Sequence, residues 1–292
     1  MADQIRDGWF TELLHEEELG QGWTQQIRVD RVLYDGQSDF QDILIFENAF
    51  FGKVLVLDGV IQTTERDEPF YHEMLAHVPI LAHDQVRDVL IVGGGEGGAL
   101  REVLRHPVTS ATMVDIDGLV IEKSRKYLPG LSNGGFDDAR TNLVVGDGIR
   151  FVADAGNDSY DVIIVDSTDP IGPGEVLFTE AFYANCRRIL RPGGIVVTQN
   201  GVAFFQGDSI TSSHDRLKPH FDDVTFYLTA TPTYGGGFMA LGWATDDPSL
   251  RAVDEVTLAE RVKKLGLETR YYSPAVHRAA FALPPYVRDL IS

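Results

Sequence analysis

A glycine turn between an apolar run and a helical pattern constrains this chain more than any other feature. Residues 88–92 (DVLIV) read as a strand, GGGEGG follows from Gly93 to Gly98, and the helical stretch ALREVLRH begins near Ala99. Gly93, Gly95 and Gly98 have the spacing of the nucleotide-binding turn of a doubly wound sheet, where backbone without side chains can approach a ligand. Glu96 lies inside that turn. Its charge would repel a pyrophosphate set against the loop amides and the helix N-terminus. The turn therefore favours a cationic ligand without phosphate, and a nucleoside sulfonium has both properties.

Further acids follow the next strands. Residues 111–116 (ATMVDI) bring Asp115, with Asp117 close behind, about 20 residues beyond the turn, where a carboxylate can accept hydrogen bonds from both ribose hydroxyls. A third strand, 142–145, runs into Gly146-Asp147-Gly148, where this fold often reads an adenine amino group. An Asp between two glycines is also a common turn device. The fourth strand, 160–165 (YDVIIV), is almost wholly apolar, as a central strand buried on both faces should be. It emits Asp166-Ser167-Thr168-Asp169-Pro170 at its carboxyl end, where ligands sit in open α/β sheets. Glu96, Asp166 and Asp169 together would form a three-acid pocket suited to a polyamine. A turn ending the strand would explain Asp169-Pro170 but not Asp166.

These motifs resemble the polyamine aminopropyltransferase family, and within it the bacterial spermidine synthases. The resemblance rests on FQDILIFEN, LDGVIQTTERDE, YHEM, GGGEGG, DSTDPIGPGE and PTY, spread between about residues 40 and 235, with the tail HRAAFALPPYV also similar. It implies transfer of the aminopropyl group of decarboxylated S-adenosylmethionine, a co-substrate, to putrescine, with no metal and no further cofactor. It assigns proton acceptance to Asp166, the amine substrate to Asp169, Tyr71, His72 and Tyr234, and the aminopropyl ammonium to Glu96. Gln62 and Gln199 are further candidates on that side. Gln41, Gly93, Gly95, Asp115, Asp147, Gly148 and Pro173 fall to the nucleoside half. The family often carries Glu in place of Asp115 and Asp in place of Glu96, and relatives that use other acceptors often have Glu in this loop, so the resemblance leaves agmatine or spermidine as alternative acceptors. A class I methyltransferase and a non-catalytic polyamine sensor are the other readings.

Composition agrees. Twenty-five basic against 44 acidic residues give a formal charge of −19, which disfavours nucleic acid and anionic membranes and would attract diamines. Cys186 has no partner for an internal disulfide, and no leader or spanning run is visible, so the cytoplasm is expected. A homodimer is expected from the resemblance alone.

Along the chain, alternating residues from Trp23 to Thr64 predict one small antiparallel sheet, with Asp58-Gly59 as a hairpin turn. An amphipathic stretch at 69–82 opens the α/β region, with further strands near 194–199, 223–230 and 237–244 and a helix over 250–265. Trp243 is placed in the core. The expected fold is α/β, a class I methyltransferase-like (Rossmann-like), doubly wound, mainly parallel sheet, with a small N-terminal antiparallel β domain. The expected division is 1–66 for the β domain and 67–292 for the catalytic domain.

Overall fold

The structure is a computed structural model and describes residues 4–13, 23–83, 85–167, 179–235 and 237–292. Its centre is a seven-stranded sheet in the order β10-β9-β8-β11-β12-β14-β13. These strands are β8 Asp88–Gly93, β9 Ser110–Asp115, β10 Thr141–Val145, β11 Tyr160–Asp166, β12 Leu190–Val202, β13 Asp223–Ala230 and β14 Phe238–Thr245. The first five in spatial order run parallel, while β14 is antiparallel to both neighbours.

The apolar runs explain the layering. Val89 and Ile91 of β8, with Val162 and Ile164 of β11, join a core that includes Tyr71, Met74 and Leu75. Leu90, Val92, Ile163 and Val165 face the other way, toward Phe182, Tyr183 and Cys186. Alternate residues of one strand thus serve two layers, which is why these strands are apolar throughout. Each buried Val, Leu or Ile contributes roughly 1.5–3 kcal/mol. Trp243 is fully buried, and its indole N–H donates to Asp223 Oδ2.

The chain leaves β8 for β9 on one side and returns to β11 on the other. That reversal opens a crevice at the carboxyl ends of β8, β9 and β11, the usual ligand position in such sheets. Helix Glu68–Ala82 packs on one face of the sheet, and its first turn brings Tyr71 and His72 to the crevice. Tyr227 donates from its hydroxyl to Met74 O, Thr229 to Phe70 O, and Arg261 caps the helix end through the carbonyls of Leu81 and Ala82.

Three expectations need correction. The N-terminal region holds two antiparallel sheets, not one: β1 Ile5–Arg6, β2 Trp9–Thr11 and β3 Gln26–Arg28 form the first. The second contains β4 Arg31–Gln37, β5 Asp42–Asn48, β6 Gly52–Leu57 and β7 Val60–Thr64. The stretch expected as one helix over 250–265 is a 3₁₀ turn, Leu250–Ala252, then helix Glu255–Leu265, because Asp254 caps the latter by accepting from Thr257 N. Finally, β12 begins at Leu190 rather than 194, since pairing to β11 resumes past a register shift between Leu190 and Ile195. The turn at 58–59 is as expected, with positive φ at both residues, 46° and 81°.

Candidate functional site

The glycine turn is shaped by what lies against it. Gly93 has φ +88°, and a Cβ there would come within 2.0 Å of the Asp166 carbonyl oxygen, so β8 can pass β11 only as glycine. Gly94 N–H donates to that same carbonyl at 2.8 Å. A Cβ on Gly95 would approach Asp115 Oδ2 to 2.8 Å. Helix Gly98–Leu104 follows directly, beginning one residue earlier than expected.

Helix Glu68–Ala82 and the turn bring Tyr71, His72, Glu96 and Asp166 together. The Tyr71 hydroxyl donates to Asp166 Oδ1 at 2.7 Å. His72 Nε2 lies 2.9 Å from Glu96 Oε1, and His72 Nδ1 lies 2.7 Å from Glu68 Oε2. Asp166 Oδ2 is buried and accepts no hydrogen bond among the described residues. Tyr234 packs edge-on against Tyr71, with ring centres 5.8 Å apart, while its hydroxyl donates to Gln62 O at 2.5 Å.

Burial and like charge set the protonation of the acids. Burial, then the charge of Glu96, pushes Asp166 up to about 7, against the pull of His72 and the Tyr71 hydrogen bond. Burial also raises Asp115, to about 6, although Asp117 N–H donates to its Oδ1 at 2.8 Å. Burial opposes the charge on His72, but its hydrogen bonds to Glu68 and Glu96 outweigh this and push it up to about 10. Glu96 is 14% exposed, and although its partial burial works against ionisation, the imidazolium holds it below the usual carboxylate range. His72, Glu96 and Asp166 offer donor atoms within 4.8 Å of one another. An imidazolium whose nitrogens both donate to carboxylates has no lone pair for a metal.

On the nucleoside side, Asp115 ends β9 beneath Gly95. Gln41 does not point freely into the crevice: its amide donates to Asp117 Oδ2 at 2.8 Å, an oxygen that also accepts from the Ser38 hydroxyl. Asp117 caps helix Gly118–Tyr127 with its other oxygen, so it ties the N-terminal sheet to the end of β9. Asp147 caps helix Gly148–Asp154, accepting from Ile149 N and Arg150 N, and Gly148 is that helix's first residue. Gln62 donates locally to Val60 O at 3.2 Å. Gln199 is buried on β12, one step past the Val165–Thr198 pair and so level with Asp166. Asp169 and Pro173 lie outside the described residues.

Sequence reasoning missed Glu68, Arg101 and Glu73. Glu68 sits one turn before His72, and Arg101 reaches Glu68 at 2.7 Å from the helix after the glycine turn. Glu73 accepts from Arg270, Tyr271 and Tyr272 N–H groups at 2.7 to 2.8 Å. The four-residue spacing of Glu68 and His72 was a readable signal. Nothing local pointed to residues 270–272.

Residues 68–254 match the family model described as the spermine/spermidine synthase domain, and residues 8–65 match the spermidine synthase tetramerisation domain. Polyamine aminopropyltransferases of Salmonella arizonae and Escherichia fergusonii are each 53% identical over 277 residues, covering 94% of this chain and 96% of theirs. A spermidine synthase solved in complex with the transition-state analogue AdoDATO superposes with a TM-score of 0.90 at 40% identity, over 99% of this chain and 96% of that one. The spermidine synthase of Thermotoga maritima superposes with a TM-score of 0.88 at 39% identity, with the same coverage.

Proposed function

Because this chain belongs to the spermine/spermidine synthase family, we propose that it transfers the aminopropyl group of decarboxylated S-adenosylmethionine to putrescine, giving spermidine and 5'-methylthioadenosine. The putrescine nitrogen attacks the methylene carbon beside the sulfonium. The new N–C bond forms as the C–S bond breaks, the electron pair returns to sulfur, and the nitrogen gives its proton to Asp166. Alignment of nucleophile and leaving group supplies much of the rate. A free amine with a pKa near ~10 is mostly protonated at neutral pH, so a base is needed.

The observation that carries this reading is Asp166 Oδ2: a buried acceptor with no partner among the described residues, on a carboxyl whose acidity lies at about 7. Such a group can take a proton near neutral pH, which an ordinary surface Asp does poorly. Glu96, kept ionised, receives the aminopropyl ammonium. Asp115 serves the ribose, with Gln41 able to add only its carbonyl oxygen as an acceptor because its amide N–H is given to Asp117, and Asp147 and Gly148 serve the base. Tyr71 and Tyr234 wall the amine slot, where Asp169 also acts. His72 reaches the substrate through Glu96, since both its nitrogens already bond carboxylates.

The assay is direct. Incubation with decarboxylated S-adenosylmethionine and a panel of putrescine, cadaverine, agmatine and spermidine, read by product mass, should give spermidine as the dominant product. Preference for a longer amine would retain aminopropyl transfer but move the acceptor. Methylated products from S-adenosylmethionine would favour a methyltransferase.

Among the described residues no helix is long and apolar enough to cross a membrane, and we place the enzyme in the cytoplasm. We place the boundary between an N-terminal β unit and the catalytic unit at residue 66. The N-terminal match to a tetramerisation domain supports an oligomer, which we take to be built from homodimers. Light scattering would give its mass.

A further inference from the structure

From Glu96 and His72 a line of alternating charges runs back into the protein, and its farther members, Glu68, Arg101 and Glu102, have no part in the proposed reaction. Glu96 bonds His72 at 2.9 Å, His72 bonds Glu68 at 2.7 Å, Glu68 bonds Arg101 at 2.7 Å, and Arg101 Nε bonds Glu102 at 2.8 Å. The line leads away from the substrate pocket through two helices. Glu68 and His72 are 6% and 3% exposed, so bulk water does not screen them.

A neutral imidazole has one N–H and one lone pair. Both His72 nitrogens face carboxylate oxygens, so a neutral ring would set a lone pair against one of them. With Glu68 and Glu96 both held ionised, only the imidazolium satisfies both contacts. The ring is also fixed in place: a Cβ on Gly98 would meet His72 Cε1 at 2.3 Å, so glycine at that helix start is what admits it.

We propose that Glu68 and Arg101 are positioning residues of this site: by clamping His72 as a double donor they hold a fixed cation against Glu96, so that Glu96 stays an anion for the substrate ammonium while Asp166 is left to take the proton. This rests on the reading of Asp166 as the acceptor. His72 is faced by Glu68 and Tyr71 from its own helix, by Glu96 from the glycine turn and by Asp166 from β11, with Arg101 behind Glu68. Asp166 is faced by Tyr71, Glu96, His72 and Asp115. Without the charge of Glu68, His72 would titrate at lower pH. Once it is neutral, Glu96 loses its cation and Asp166 holds its proton more tightly.

The test begins with the substrate-free enzyme. In histidine ¹⁵N spectra, with His72 identified by its loss in His72→Gln, both ring nitrogens should remain protonated at pH 8.5. Glu68→Gln should make the ring titrate below that pH. It should also move the rising limb of kcat/KM upward by about one pH unit or more, the scale expected when a neighbouring charge is lost. Arg101→Gln should move the limb the same way by less, and Arg101→Lys should return it toward the parent position. A neutral His72 in the parent at pH 8.5 would overturn the proposal whatever the variants do. So would a parent-like limb in Glu68→Gln; an even loss of kcat/KM at all pH values would mean a merely structural role and also sink it. If the parent shows no rising limb, the assignment of Asp166 has failed, whereas the spectra judge the clamp independently.

Discussion

The two oxygens of Asp166 differ: Oδ1 accepts from Tyr71, while Oδ2 has no partner among the described residues and is the atom that would take the proton in the proposed transfer. Its acidity at about 7 means that kcat/KM should rise with pH through about 7 as the base ionises, then level off. Asp166→Asn keeps the shape and removes the proton acceptor, so kcat should fall roughly 10²-fold to 10⁴-fold with donor affinity little changed. Turnover within a few-fold of the parent would refute that role. The raised pKa values of Asp115 and Asp166 also bear on stability. An acid whose folded pKa lies above its ordinary value stabilises the fold most at low pH, and that contribution is lost as pH rises through the folded value. For Asp115 and Asp166 the loss runs from about 4 to about 6 and 7. Their charges then wait for a cation, so the increase in melting temperature given by decarboxylated S-adenosylmethionine should be larger at pH 8 than at pH 5. S-adenosylmethionine adds a carboxylate among like charges and should bind more weakly by several kcal/mol in calorimetric titration. Equal affinities for the two would contradict a site built to receive a bare ammonium.

Helix Glu68–Ala82 shows what the sequence could and could not convey about an element. The YHEM motif alone pointed to Tyr71 and His72, which the structure sets beside Asp166 and Glu96, whereas the amphipathic pattern expected for this helix is not observed, since all its residues but Phe70 are buried. Glu73, in the same motif, turns elsewhere and gathers three backbone N–H groups of residues 270–272, a contact across almost 200 positions that no local pattern encodes. The same limit hid Arg101 behind Glu68 and the pinning of Gln41 by Asp117. The separate sheet of β1, β2 and β3 was missed because β1 and β2 span only two and three residues, too short for a period of two to register. Helices Pro274–Ala280 and Pro285–Asp289 are likewise short and are held by packing rather than propensity. Glu73→Gln leaves one acceptor where two oxygens served three donors, so it should destabilise the fold by about 1–3 kcal/mol in urea unfolding. Hydrogen exchange should quicken at residues 270–272, while KM for the donor stays near the parent value. Unchanged exchange there would mean that Glu73 does not dock the C-terminal segment.

At the scale of the whole molecule, sheet order and charge act together. The near-continuous apolar runs of β8 and β11, buried on both faces, made the doubly wound sheet readable, and the crevice where strand order reverses collects Glu96, Asp115 and Asp166 from segments about 20 to 50 residues apart along the chain. The reaction consumes two cationic substrates, and the chain carries a formal charge of −19. A field of that sign should raise the local concentration of a diamine at the mouth of the crevice and hasten its capture. Salt acts differently on the approach and on the buried site. Charges in bulk water are screened beyond about 10 Å at 0.1 M, whereas the buried pairs around His72 are screened far less. Raising monovalent salt from about 20 to about 300 mM should therefore lower kcat/KM for putrescine roughly 3-fold to 10-fold while kcat at saturation changes little. A monoamine acceptor of similar length, with one charge instead of two, should show the shallower dependence. If kcat and kcat/KM fell together, salt would be disrupting the site itself. If neither moved, the acidic surface would have no part in substrate capture and would serve solubility alone.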